Sequence, residues 1–238
     1  MNRNTFKIIA AITMAFDHVG LILLEPYSVS YYIFRGVGRI AFVLFAYMLV
    51  EGFFKTSNLK RYFIRLLAYA SIIEIFIIGY YFISDNNYIL EVNVIWPLVF
   101  GLGALILLKS KIIWIRLLSI GLVFLAEFLK IPYGAYGVLI IIVLALYRNP
   151  LTQLLFLVGI NLVFIDFPLI NFLDLAEHAK YNWIQWLSMV SFVFIYLYNG
   201  KKGKLNTKWF FYIFYPLHLG VIYGIYYFIS WGDLSDYL

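Results

Sequence analysis

Long apolar runs separated by short polar punctuation make up almost the whole chain. A helix that crosses a bilayer needs about 20 mostly apolar residues. Runs of that kind cover roughly residues 6–24, 31–54, 61–83, 89–108, 112–129, 133–147, 151–170, 181–198 and 209–231. The pattern predicts an all-α, polytopic membrane bundle of about nine spans, forming one membrane domain over residues 1–238. The sixth span is short. The seventh is expected to stop near Asp166-Phe167-Pro168, leaving "LINFLDLAEHAK" as an outer re-entrant or interfacial piece. Residues 1–24 look like a signal peptide at first, but Asp17 and His18 interrupt the apolar run and no small-x-small cleavage site follows. They read as a retained first span.

The basic residues test the count. Arg3, Lys7, Lys55, Lys60, Arg61, Arg65, Lys109, Lys111, Arg116, Arg148, Lys201, Lys202, Lys204 and Lys208 all fall on one side if nine helices alternate. The other side holds Lys130, Lys180 and most of the loop acids. Lysine and arginine collect on the cytoplasmic face, so the N-terminus is expected inside and the C-terminus outside.

Composition agrees. Of 238 residues, 64% are hydrophobic and only 13% charged, against about 45–50% and about 25% in soluble domains. So few charges cannot cover a globular surface, and the expected location is a cell membrane. The net charge of +6 then reflects topology and attraction to anionic lipid. No basic run is interleaved with stacking aromatics, so nucleic acid is not an expected partner. The chain has no cysteine, which excludes disulfides and thiolate chemistry. No metal site is expected.

Ionisable side chains within the spans stand out, because each costs at least about 2.5–3.5 kcal/mol in a bilayer and defaults to a functional reading. They are Asp17, His18, Arg35, Arg39, Glu51, Glu74, Glu91, Glu127, Asp166 and His218, accompanied by Asn93, Asn161 and Gln185. Counting about 1.5 Å per residue from the outer helix ends puts His18, Arg39 and Glu74 at similar depths, roughly 9–13 Å in. Asn93, Tyr133 and Tyr136 lie nearer the outer ends of their spans. A polar cavity open to the outside would collect these residues. Glu74, Asn93, Tyr133 and Tyr136 are its expected substrate-binding wall, and His218 its floor.

Arg35 and Arg39 are four apart and share a helix face, so they need carboxylates or a bound anion. Asp17 is the obvious partner. Consecutive helical residues diverge by about 100°, so Asp17 is expected to hold an arginine while His18 faces substrate. Plainer readings exist. The Asp17–Arg39 pair serves equally well as a structural lock, and His18 as a satisfied packing histidine. His218 serves to repair the carbonyl that Pro216 frees. Glu51 reads as an interfacial charge, Asp166 and Glu91 as solvated boundary groups. No HExxH, GxSxG or GxxxxGK pattern occurs, so hydrolase and nucleotide-driven readings lack support.

Four blocks carry a resemblance: "KIIAAITMAFDHVG", "GRIAFVLFAYMLVEGFFKTSNLKRYFIRLLAYA", "YGAYGVLIII" and "LYNGKKGKLNTKWFFYIFYPLHLGVIY". Together they resemble the TraX family, whose founding activity is acetylation of the N-terminus of conjugative pilin. Val43, Pro97 and Pro132 stand where the family pattern has other residues. The resemblance implies an acetyl-CoA-dependent N- or O-acetyltransferase. Its acceptor would be a peptide or protein N-terminus, a glycan or a lipid headgroup, presented at the outer half of the membrane. It implies His18 as general base, and Asp17, Arg39 and His218 as the other catalytic residues, His218 acting as acid or oxyanion donor. Arg35, Lys60, Arg61 and Arg65 would bind the donor. Two other classes use the same residues: a proton-coupled transporter with an Asp/His/Arg relay, and a scaffold whose buried charges only lock packing.

Overall fold

Why the predicted segments become helices is visible at their ends. The computed structural model describes residues 1–84, 93–166, 183–204, 207 and 209–235, and among these all regular structure is helical. The α-helices are α1 (Arg3–Leu23), α2 (Val29–Lys55), α3 (Leu59–Ser84), α4 (Ile95–Leu108), α5 (Ile113–Phe128), α6 (Gly134–Leu146), α7 (Pro150–Asn161), α8 (Ser191–Leu197) and α9 (Phe210–Ser235). Each predicted segment holds one. Asn2 caps α1 by accepting from the N–H groups of Asn4 and Thr5. Asn58 accepts from Arg61 N–H at 2.8 Å to open α3. Asn149-Pro150 opens α7, with the proline at a position whose N–H has no ladder partner.

Four helices are long and apolar enough to cross a membrane: Arg3–Leu23, Val29–Lys55, Leu59–Gly79 and Phe210–Ile229. The rest are shorter. In the seventh segment α7 passes at Asn161 into a π-helical stretch, Leu162–Asp166, and the expected stop at Phe167-Pro168 lies outside the described residues. The eighth begins as a 3₁₀-helix, Trp183–Val190, before α8. Glu91 and the expected outer piece at 169–180 lie outside the described residues. Large apolar side chains stay exposed on several helices, among them Ile75 and Phe76 on α3, Trp114 and Phe128 on α5 and Phe228 on α9. Apolar surface on this scale marks contact with lipid or protein, not water. The chain is a membrane protein.

The chain divides into two compact units. In the unit formed by residues 45–185, small residues bring α4, α5 and α6 together: Ala104, Ala126 and Val138 are fully buried in one cluster with Phe100 and Leu122 at its edge. Gly101 on α4 lies so close to Ile141 of α6 that no Cβ would fit. Such small-residue contacts are how membrane helices approach closely.

The unit formed by residues 1–44 and 186–238 sets α1 against α9 and against the first half of α2. The N-terminal end of α1 is tied down first. Lys7 Nζ donates to the Thr207 carbonyl at 2.8 Å and to Thr207 Oγ1 at 3.1 Å, and it lies over the Phe211 ring at 5.4 Å. Phe6 packs on Tyr198 with ring centroids 4.9 Å apart. These contacts fix the register of α1 and α9, and that register decides what meets further along.

Candidate functional site

Three turns beyond Lys7 on α1 come Asp17 and His18, both buried, His18 to 2% exposure. They turn to different neighbours. Asp17 faces α2, where a single oxygen, Oδ1, accepts from Arg35 Nη1 at 2.8 Å and from Arg39 Nη2 at 2.7 Å. Arg39 Nε also donates to the Arg35 carbonyl at 3.2 Å. The short turn between α1 and α2 makes this possible, because residues equally far from it on the two helices lie level. Glycine supplies the room. A Cβ on Gly38 would collide with the Asp17 side chain, and one on Gly20 would sit 2.9 Å from Phe34 Cβ. The pairing expected of Asp17 is therefore present, and Arg35 shares it.

His18 faces α9. Its Nδ1 lies 2.7 Å from Nε2 of His218, and the two rings stack with centroids 4.9 Å apart. The other nitrogen of His218, Nδ1, lies 2.8 Å from the carbonyl oxygen of Phe214. Phe214 also stacks on the His218 ring at 4.9 Å, and Tyr215 presents an edge to both imidazoles. Pro216 leaves the carbonyl four residues earlier, that of Tyr212, without its ladder donor. His218 bonds instead to the carbonyl four residues before itself, so repair of the proline kink does not explain it. The chain thus separates two jobs along one turn of α1: an ion-paired acid and arginines on one side, two coupled imidazoles on the other.

The other expected residues belong to the second unit. Glu74 Oε2 accepts from Asn93 Nδ2 at 2.7 Å and from Trp96 Nε1 at 2.8 Å. Asn93 Nδ2 also donates to the Ala70 carbonyl at 3.0 Å. This group pins the start of α4 to α3. Tyr136 is completely buried, its hydroxyl donating to Asn161 Oδ1 at 2.9 Å and accepting from Gln185 Nε2 at 2.9 Å. Tyr133 precedes α6 with a φ of 62° and stacks on Tyr136 at 6.2 Å. Lys60, Arg61 and Arg65 are exposed cations on the first two turns of α3. Glu51 pairs with Lys55 and, at 3.9 Å, with Arg148, as an interfacial charge would.

Sequence reasoning missed several partners. Glu127 Oε2 accepts from Ala135 N–H at 2.8 Å and caps α6. Trp96 completes the Glu74 group, and Phe214 and Tyr215 frame the imidazoles. Gly38 was the available signal for the Asp17 seat, a glycine beside an arginine inside a spanning helix.

The family model described as TraX protein matches residues 2–226. The "Probable fimbrial assembly protein FimC, serogroup H1" of Dichelobacter nodosus is 32% identical over 235 residues, covering 91% of this chain and 92% of its own. No solved structure matches the chain significantly.

Proposed function

The chain belongs to the TraX family, and from that premise we propose that it is a membrane acetyltransferase. It takes the acetyl group of acetyl-CoA from the cytoplasmic side and transfers it to an amine or hydroxyl acceptor at the outer half of the membrane. His18 is the general base. The observation that carries this reading is the division of labour on α1. One oxygen of Asp17 takes both guanidiniums, and among the described residues the adjacent imidazole hydrogen-bonds to another imidazole and to no carboxylate. An imidazole is the side chain that most often takes a proton from an attacking nucleophile.

The step balances as follows for an amine. The acceptor nitrogen attacks the thioester carbonyl, its proton passes to His18, and the C–N bond forms. The C–S bond then breaks, and His18 returns the proton to the departing thiolate, leaving an acetylated amine and free CoA. Arg35 and Arg39, steadied by Asp17, set their positive charge against the negative charge that develops on the acyl oxygen.

The relative's role in fimbrial assembly supports a pilin-type subunit as the acceptor, its amine exposed once the subunit is processed. The topology belongs to the same proposal: nine crossings of the bacterial cytoplasmic membrane, N-terminus inside. A 13-residue helix such as α6 spans only about 20 Å of a hydrocarbon core of about 30 Å, so flanking residues and local thinning complete such crossings.

The test is incubation of purified protein with isotope-labelled acetyl-CoA and a peptide bearing a pilin-type amino terminus. Label on the peptide amine, found by mass spectrometry, is the expected result. Proton or solute flux through sealed vesicles without any acetylated product would replace this reading with that of a carrier.

A further inference from the structure

The two imidazoles are hydrogen-bonded in an order that the backbone dictates. A carbonyl oxygen only accepts, so the 2.8 Å contact between His218 Nδ1 and the Phe214 carbonyl places a proton on His218 Nδ1. In a neutral ring the other nitrogen, Nε2, then holds a lone pair. The 2.7 Å contact between His218 Nε2 and His18 Nδ1 needs one proton between them, and that proton belongs to His18 Nδ1. His18, neutral in turn, carries its own lone pair on Nε2. The chain of bonds runs His18 Nδ1–H to His218 Nε2, and His218 Nδ1–H to Phe214 O. Among the described residues Nε2 of His18 has no hydrogen-bond partner.

We propose that His218 is a positioning residue that fixes the tautomer of His18, so that Nε2 of His18 is the atom that accepts the acceptor's proton. This rests on the acetyltransferase reading above and reassigns His218 within it. An Nε2 lone pair already engaged with His18 gives His218 no donor for an oxyanion or a leaving thiolate. When His18 takes up the proton, its imidazolium keeps Nδ1–H on His218 Nε2, and the positive charge spreads toward the Phe214 carbonyl. The tight stack of Phe214 on His218, with planes 11° apart, adds a ring face for that charge. A carboxylate commonly plays this orienting role for a histidine base. Here the carboxylate one residue away is committed to arginines, and an imidazole anchored to a backbone carbonyl takes its place.

The experiment is nitrogen NMR of histidine-labelled protein in nanodiscs. His178 is replaced by glutamine so that only two histidines remain. Expected are a protonated, pyrrole-type Nδ1 and a pyridine-type Nε2 on His18, the same on His218, and a coupling across the bond between His18 Nδ1 and His218 Nε2. A protonated Nε2 on neutral His18 would overturn the proposal. The spectrum reports the tautomer whether or not the protein transfers acetyl groups, so failure here and failure of the acetyltransferase reading are separate results.

Variants extend the test to rate. In His218→Phe the acceptor for His18 Nδ1–H is gone and the tautomers mix, so kcat falls about 10²-fold with little change in KM for either substrate. In His218→Gln the amide oxygen again accepts from Nδ1, the pyridine-type signal of His18 Nε2 returns, and part of kcat returns with it. A loss in His218→Gln as deep as in His218→Phe, with the His18 tautomer intact, would make His218 a catalytic acid and overturn the assignment.

Discussion

Asp17 presents one oxygen to two arginines, Nη1 of Arg35 at 2.8 Å and Nη2 of Arg39 at 2.7 Å. All three side chains are less than a fifth exposed, so removing one member strands charge in a region with little water. Breaking a buried ion pair by deleting one partner costs about 3–5 kcal/mol, whereas replacing the whole group with apolar residues is often neutral. Asp17→Leu should therefore lower the thermal midpoint of the detergent-solubilised protein more than the triple change Asp17→Leu, Arg35→Met, Arg39→Met. The comparison is a thermal unfolding series on the single and combined variants, and simple additivity would show that the three do not act as a unit.

Gly38→Ala tests the seat itself. Alanine is favoured over glycine in a helix by about 1 kcal/mol, so an uncrowded site would gain stability. Here the added methyl meets the Asp17 side chain, and overpacking costs about 1–3 kcal/mol. The prediction is a net loss of stability, read from the unfolding midpoint. A rise would mean that α1 and α2 stand further apart than described.

Tyr136→Phe removes a hydroxyl that serves two buried amides. Asn161 loses a donor and Gln185 an acceptor, and each intramolecular hydrogen bond contributes about 0.5–1.5 kcal/mol. The protein should be destabilised by that order although the ring volume hardly changes. Unfolding of purified wild type and variant side by side decides it.

Glu127→Ala removes the carboxylate that caps α6. Ala135 N–H loses its acceptor, and loss of a helix cap costs about 0.5–2 kcal/mol. Local protection of the first amides of α6 in hydrogen–deuterium exchange should fall before the global midpoint moves much. Unchanged protection at Ala135 would show that another acceptor caps the helix.

How far the sequence carries these features depends on what each one rests on. The helices were legible because apolar runs and their punctuation (Asn2, Asn58, Asn149-Pro150) are local signals. The Asp17–arginine group was legible too. Depth counted from the helix ends put His18 level with Arg39, the shared face of Arg35 and Arg39 called for a carboxylate, and the helical period turned His18 away from Asp17. What His18 turns toward was not legible at the level of atoms. His218 is 200 positions away, and its ring orientation depends on a contact with its own backbone that no spacing reveals. Tyr136 shows a different limit. Depth alone puts it near a helix end among polar residues, but α6 is apolar on every side, so the sequence gives no face. Packing decides that its hydroxyl points to Asn161 and Gln185.

Proposed as the group that takes the acceptor's proton, His18 is tested most directly by single-turnover acetyl transfer in His18→Ala. Wild type and variant, matched for amount in the membrane and for unfolding midpoint, are mixed with labelled acetyl-CoA and acceptor peptide. The expected result is a transfer rate lowered by about 10²–10⁴-fold with donor binding retained. Transfer at the wild-type rate by His18→Ala would contradict it.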